Sequence, residues 1–257
     1  MGADYAVVGV GALAEAIVVG LSDGIDDAPA IVLSPRGAER SARLAARFAN
    51  VTVAADNQAA VSAAPVVVVA VRPAQAEDVL ESLTFTAEQH VVSVVAAVSL
   101  DRLRALVAPA TDVTRTIPMP EVARRAGHTP VLPRSPEAIA LLERLGTVVR
   151  VDDEAAFDAM SVATATVAAH LHYVSTIAQW LAAQGGISAA DAEQFVAGVY
   201  QGLQIDVTHG PLADLATDHA TPGGFNEGFD RALTDSGVFE AVTGALDAGL
   251  RRIHDAG

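Results

Sequence analysis

The chain of 257 residues contains no cysteine and no lysine. Without cysteine there are no disulfides, no thiolate nucleophiles and no thiolate metal ligands, and the redox compartment stays open. Without lysine, Schiff-base formation and lysine acid–base chemistry are excluded. Cations are scarce altogether: 16 arginines stand against 31 Asp and Glu, a net charge of −15. Such a field repels nucleic acids and anionic membranes, and neither is expected as a partner. A basic segment ahead of an apolar one is absent from the N-terminus, which points to a cytoplasmic protein without a secretory signal. Gly-x-Ser-x-Gly elbows and phosphate-binding P-loops are absent too.

The histidines show no metal-binding spacing. His170 and His172 stand two apart on an expected helix and so face different ways, and His90, His128, His209, His219 and His254 are isolated along the chain. No metal site is expected.

What is present divides in two. Short β-branched runs at Tyr5–Val8, Ala30–Leu33, Val51–Val53, Val66–Val71, His90–Val95 and Val113–Ile117 alternate with helix-length segments, which predicts parallel βαβ units. The apolar run Val66–Val69 does not alternate, as expected for a strand covered on both faces. Weaker strands at Thr129–Leu132 and Thr147–Val151 flank a helix over Ser135–Leu145. The pattern changes near residue 152. Beyond it come only helix-like segments, Ala155–Ala183, Ser188–Thr208, Leu212–Thr217, Asn226–Asp235 and Val238–His254. The expected fold is α/β: a doubly wound parallel Rossmann domain over residues 1–152, then an all-helical domain over 153–257 for dimerisation and substrate.

Charge follows the same division, with 13 Arg and 16 acids in the first 150 residues against 3 Arg and 15 acids after them. An anionic cofactor would therefore find its counter-charges in the first part. Met160–Ala190 carries no charged residue, yet its threonines, histidines, glutamines and Gly185-Gly186 are too polar for a lipid-facing span. A helix covered by an identical subunit is the expectation, and with it a homodimer.

Gly9-Val10-Gly11-Ala12-Leu13-Ala14 follows the first strand and opens a helix. Glycine there permits a tight turn and lets backbone N–H groups approach a pyrophosphate. An NAD-binding second strand ends in a carboxylate, for the ribose 2′-hydroxyl. Here Leu33 is followed by Ser34-Pro35-Arg36, with Arg40 a turn later, a set suited to a 2′-phosphate. Val71-Arg72-Pro73 should lie at the carboxyl edge of the sheet beside the ribose and phosphates. NADP(H) is thus the expected cofactor. In the second part, Thr221-Pro222-Gly223-Gly224-Phe225-Asn226 would leave N–H groups exposed at a helix start, able to hold a small carboxylate.

Taken together, Gly9–Ala16, the AVRP of Ala70–Pro73, Ser93–Leu100, Arg115–Pro118, Pro222–Gly224 and the long segment from Phe157 to Ile187 resemble the pyrroline-5-carboxylate reductase family. The resemblance implies NAD(P)H-dependent reduction of a five-membered cyclic imine acid to proline, a step of amino-acid biosynthesis, by dimers that can assemble further. It places Ala96 at the cofactor. It also places Thr164, Thr166, Thr221, Gly223, Gly224 and Asn226 at the substrate, with Asn226 and Thr166 as the catalytic candidates. Asn226 stands where the family has a threonine meeting the imine nitrogen. The chain departs from the family around the substrate: Arg115–Glu121 lacks the usual Asn and Thr, and Thr164–Ala169 lacks two glycines and a proline. Three readings follow: a reductase of pyrroline-5-carboxylate itself, a reductase of another cyclic imine or related small molecule, or a non-catalytic NADP-binding regulator.

Overall fold

A computed structural model of the chain describes residues 2–203 and 210–256. The end of the helix expected over Ser188–Thr208, past Leu203, and His209 fall outside the described residues. The chain separates into two compact units, residues 1–161 with 253–257, and residues 162–252.

The first unit is built on an eight-stranded sheet: β1 (Tyr5–Val8), β2 (Ile31–Leu33), β3 (Val51–Val53), β4 (Val66–Val69), β5 (His90–Ser93), β6 (Asp112–Thr116), β7 (Gly127–Leu132) and β8 (Gly146–Arg150). Their spatial order is 3-2-1-4-5-6-7-8, so the chain reverses direction across the sheet between β1 and β4. That crevice is where doubly wound folds take their ligands. The helices α1 (Ala12–Ser22), α2 (Ala38–Arg47), α3 (Asn57–Val61), α4 (Pro73–Glu81), α5 (Leu100–Leu106) and α6 (Pro136–Glu143) complete the unit.

β4 is buried at all four positions because both faces of the sheet are covered. Val67 and Val69 pack in one core with Ala6, Val8, Val91 and Leu103, while Val66 and Val68 pack in the other with Val7, Ile17, Leu33 and Leu141. The sheet departs from the all-parallel expectation at one place, where β7 runs antiparallel to β6 with Arg115 opposite Leu132. The short connection between them holds only a 3-10 helix, Pro120–Arg124. A parallel return needs a crossover helix, and this connection has none.

The helical region begins with α7 (Glu154–Thr164), whose first turns belong to the first unit, and continues with α8 (Thr166–Ala183). The sequence reads as one helix across Ala155–Ala183; the structure breaks it at Ala165. The Thr166 hydroxyl donates to the Ala163 carbonyl at 2.8 Å, a local bond that competes with the helical ladder. Then come α9 (Ala189–Gly202), capped by Ser188, α10 (Leu212–His219), α11 (Phe225–Asp235) and α12 (Val238–Ala256). Within the second unit, Tyr200 of α9 meets His170 and Tyr173 of α8 edge-on, at 5.8 and 6.3 Å between ring centres. Among the described residues no helix is long and apolar enough to cross a membrane.

Candidate functional site

Sharp backbone geometry sets the loop after β1. Gly9 has φ +87°, and a side chain there would sit 2.8 Å from the Ala70 carbonyl at the end of β4. The buried N–H of Gly9 donates to the Ser34 hydroxyl at 2.9 Å, which fastens the turn to the end of β2. Gly11 is the N-cap of α1 and brings no side-chain cap. Open space lies where its Cβ would be. The first N–H groups of α1, from Ala12 and Leu13 on, are therefore available to an anion.

Around this turn the candidate cofactor residues are differently placed. Ser34 is fully buried and its oxygen already serves Gly9, so it supports the loop from behind. Arg36 and Arg72 are exposed and, among the described residues, have no ion-pair partner; Arg36 lines a surface cleft of about 560 Å³ with Pro35, Asp56, Asn57 and Ser82. Arg72 is the N-cap of α4, Pro73 its first residue, and Val71 packs against the core under the glycine turn. Ala96 is exposed at the carboxyl end of β5, next to Ala97 in a left-handed conformation with φ +57°.

Arg40 is differently occupied. Its Nε lies 2.6 Å from Glu15, its Nη1 3.5 Å from the Val10 carbonyl, and Arg43 reaches the other Glu15 oxygen at 2.7 Å. The Arg43 hydrogen bond, reinforced by Arg40 and opposed by partial burial, holds the Glu15 carboxyl below its usual range. These contacts fix α1 to α2 beside the glycine turn. Nothing in the sequence spacing marks the pair, because Glu15 and Arg40 are joined only by the parallel packing of β1 and β2. Gly37, which was not singled out from sequence, has φ +87° and would place a side chain 2.8 Å from the Val10 carbonyl, so the loop is closed from that side as well.

A second constellation sits where β6 ends. Arg115, with only 4% of its side chain exposed, donates to Glu154 at 2.5 Å and to Asp158 at 2.8 Å, and lies over the Phe157 ring at 4.6 Å. Among the described residues its Nε has no partner. Glu154 also accepts the Leu100 N–H at 3.0 Å. These groups, with Ala97, Ser99, Ile253 and His254, line a cleft of about 290 Å³. No sequence spacing marks the carboxylate partners of Arg115, which lie on a helix 39 and 43 residues further on.

The proposed substrate residues all belong to the second unit. Gly223, Gly224 and Asn226 do come together, lining an open cleft of about 660 Å³ with Phe225, Gly228, Phe229 and Ala232. Thr221 holds the turn through its carbonyl, which accepts the Gly224 N–H at 2.8 Å. Asn226 donates from Nδ2 to the His219 carbonyl at 2.9 Å, leaving its side-chain oxygen to accept from a ligand. The Gly223 N–H is already taken: the Glu227 carboxylate accepts it at 2.7 Å, while Arg231 pairs with the other Glu227 oxygen at 3.1 Å. Thr164 and Thr166 flank the break at Ala165 and are not among the walls of this cleft.

Residues 4–97 match the family described as NADP oxidoreductase coenzyme F420-dependent. Over the whole chain, pyrroline-5-carboxylate reductase of Pseudomonas aeruginosa is 26% identical, with 96% of this chain and 94% of that protein covered. The Mycobacterium tuberculosis enzyme of the same name is 29% identical, at 97% and 95% coverage. Among solved structures, a pyrroline-5-carboxylate reductase from Coxiella burnetii superposes with a TM-score of 0.81 at 22% identity, covering 100% and 99% of the two chains. The Plasmodium falciparum pyrroline carboxylate reductase solved with NADP bound superposes at 0.78 with 13% identity, covering 99% and 98%. At those identities the structural matches speak for the fold.

Proposed function

We propose that the chain, which is similar over its whole length to pyrroline-5-carboxylate reductases, is an NADPH-dependent reductase of a small cyclic imine acid, with 1-pyrroline-5-carboxylate as substrate and proline as product. The observation that carries the reading is the carboxyl edge of β1 and β2. There the turn is open above Gly11, Arg36 has no ion-pair partner among the described residues, and Ser34 and Pro35 stand where an NAD-binding strand would carry a carboxylate; the carboxylate that lines the Arg36 cleft, Asp56, accepts the Ala59 N–H. Those residues fit NADP(H): the α1 N-terminus for the pyrophosphate, Arg36 for the 2′-phosphate, Arg40 behind it, and Val71–Pro73 and Ala96 beside the ribose and nicotinamide ends.

NADPH supplies the hydride when bound. Reduction of a protonated imine yields a neutral amine, so no acid is needed to quench an alkoxide, in keeping with a chain that has no lysine. Asn226 would accept a hydrogen bond from the iminium N–H through its side-chain oxygen, and a substrate carboxylate at the Gly223–Gly224 backbone would have to displace Glu227 from the Gly223 N–H, because the Gly224 N–H already donates to the Thr221 carbonyl. Thr164, Thr166 and Thr221 complete the proposed substrate set, with Thr166 and Asn226 closest to the chemistry.

We place the functional domains at 1–152 and 153–257 and the enzyme in the cytoplasm. The active unit is a homodimer through the C-terminal helices, open to higher assembly. Support for the dimer comes from the second unit, where Leu171, Trp180 and Phe195 are each more than 60% exposed and Phe225 is 98% exposed. Surfaces of this kind are covered in working proteins.

Steady-state oxidation of NADPH with pyrroline-5-carboxylate tests the reading: turnover yielding proline is expected. One observation favours a second substrate, a cyclic imine without the acid group. Glu227 already holds the Gly223 N–H, so an incoming carboxylate has to displace one of like charge. Turnover of 1-pyrroline in preference to its carboxylate would select that reading, and NADPH binding without turnover of any imine would select a regulator.

A further inference from the structure

The amino edge of the sheet, opposite the cofactor loops, holds a cluster that the reductase reading does not use. His90 opens β5 and Asp112 opens β6, and the parallel register sets the two residues side by side. Glu137 stands in the first turn of α6. His90 Nδ1 lies 2.7 Å from Asp112 Oδ2 and 3.6 Å from Glu137 Oε2, and the three donor atoms fall within 4.8 Å of one another.

We propose that His90, Asp112 and Glu137 form a binding site for a divalent transition metal of the zinc class. Nitrogen and oxygen ligands about 2.0–2.2 Å from a tetrahedral zinc ion are separated by about 3.3 Å, so small side-chain rotations suffice to bring all three onto one ion. The donor set, one imidazole and two carboxylates, is one that zinc takes, and leaves a fourth position for water. Charge argues the same way. Two carboxylates converge here, and among the described residues neither has an arginine partner; the imidazole and one hydroxyl are their neighbours. That hydroxyl is Ser135 Oγ, 2.9 Å from Asp112 Oδ2 and 3.4 Å from Glu137 Oε2, placed to orient one carboxylate while the other binds. Side-chain exposures of 28%, 31% and 39% leave the ion a way in. A metal on Nδ1 takes that nitrogen's lone pair, so the bound imidazole would carry its proton on Nε2. The ion would tie the starts of β5, β6 and α6 together, far in sequence and close in space, so its role is structural and independent of the imine chemistry.

The competing account is that His90, protonated, bridges the two carboxylates without a metal. Calorimetric titration of zinc chloride into chelator-treated full-length protein separates the two, with thermal melts and NADPH binding measured alongside. The site predicts one zinc ion per chain, a melting temperature that rises with zinc concentration, and at least tenfold weaker binding in both His90→Ala and Glu137→Gln. His254→Ala should bind zinc as the parent does, and NADPH affinity should stay unchanged in all variants, showing that they fold. No stoichiometric zinc binding by the parent chain, or zinc affinity in His90→Ala and Glu137→Gln equal to the parent's, overturns the proposal. Zinc-independent melts whose pH dependence alone changes in His90→Ala also overturn it, in favour of the protonated bridge.

Discussion

The hydroxyl of Ser34 accepts the backbone N–H of Gly9 at 2.9 Å, and both residues are buried. The end of β2 thereby shapes the turn on which the cofactor reading depends. Ser34→Ala leaves that N–H without a partner, at a cost of about 1–3 kcal/mol. The variant should melt earlier and bind NADPH and NADH less tightly by the same factor, since the pyrophosphate turn is common to both. A loss confined to NADPH, read by fluorescence titration, would mean that Ser34 faces the 2′-phosphate instead.

Arg36 should show the opposite signature. Among the described residues its charge is unpaired, and the proposed cofactor site assigns it the 2′-phosphate, so Arg36→Ala is expected to weaken NADPH by about 1.5–3 kcal/mol, roughly tenfold to a hundredfold in KM, and to leave NADH nearly untouched. Arg40→Ala should be milder, because that guanidinium is already engaged by Glu15. Equal loss for both cofactors in the Arg36 variant would remove it from the phosphate.

Much of this architecture is visible in the sequence, and the reasons differ by element. Val66–Val69 and the glycine turn are legible because a strand covered on both faces and a tight turn each demand particular residues locally. The antiparallel β7 is not, since it depends on how little chain connects β6 to β7 around Pro120–Arg124. The break at Ala165 depends on one threonine hydroxyl bonding back along the helix. Arg115 with Glu154 and Asp158, and His90 with Asp112 and Glu137, are pairings made by the fold across 22 to 47 residues; no spacing rule encodes them.

The Arg115 cluster should dominate stability near the end of β6. Removing a buried cation leaves two carboxylates facing each other, and breaking such a pair costs about 3–5 kcal/mol. Arg115→Met should therefore lower the denaturation midpoint sharply, and adding Glu154→Gln and Asp158→Asn should recover part of the loss. A single variant as stable as the parent would show that the ion pairs contribute nothing net.

Acid should act on the α1–α2 contact. The Glu15 carboxyl titrates below its usual range, chiefly through the Arg43 hydrogen bond, so the folded state holds its proton less readily than the unfolded chain. The stability this gives is present above the unfolded pKa and disappears as pH falls through the lowered folded value. Both arginines are substantially exposed, so solvent screening keeps the contribution small. Arg43→Ala should be slightly less stable than the parent at neutral pH and equal to it once the pH is low enough to protonate the Glu15 carboxyl in the folded chain, by urea denaturation. A deficit that persists at low pH would point to lost packing in place of the ion pair.

The proposed dimer gives the most direct prediction, because the second unit buries so little within itself. Val162, Ala178, Ala192 and Val196 are its buried apolar residues among those described, whereas Leu171, Trp180 and Phe195 stay largely exposed in the single chain. Burying side chains of that size is worth about 1.5–3 kcal/mol each, so a second copy covering them gains several times the stability that surface polar contacts supply. Sedimentation at micromolar concentration should give twice the chain mass, and the melting temperature should rise with protein concentration, as mass action requires. Trp180→Asp combined with Phe195→Asp places charges on the covered face and should yield monomers that melt earlier. NADPH binding should survive if the cofactor site belongs wholly to the first unit, and imine turnover should fall if the helical region must be assembled for catalysis. A parent chain that is monomeric at micromolar concentration, with a melting temperature indifferent to dilution, would rule the homodimer out.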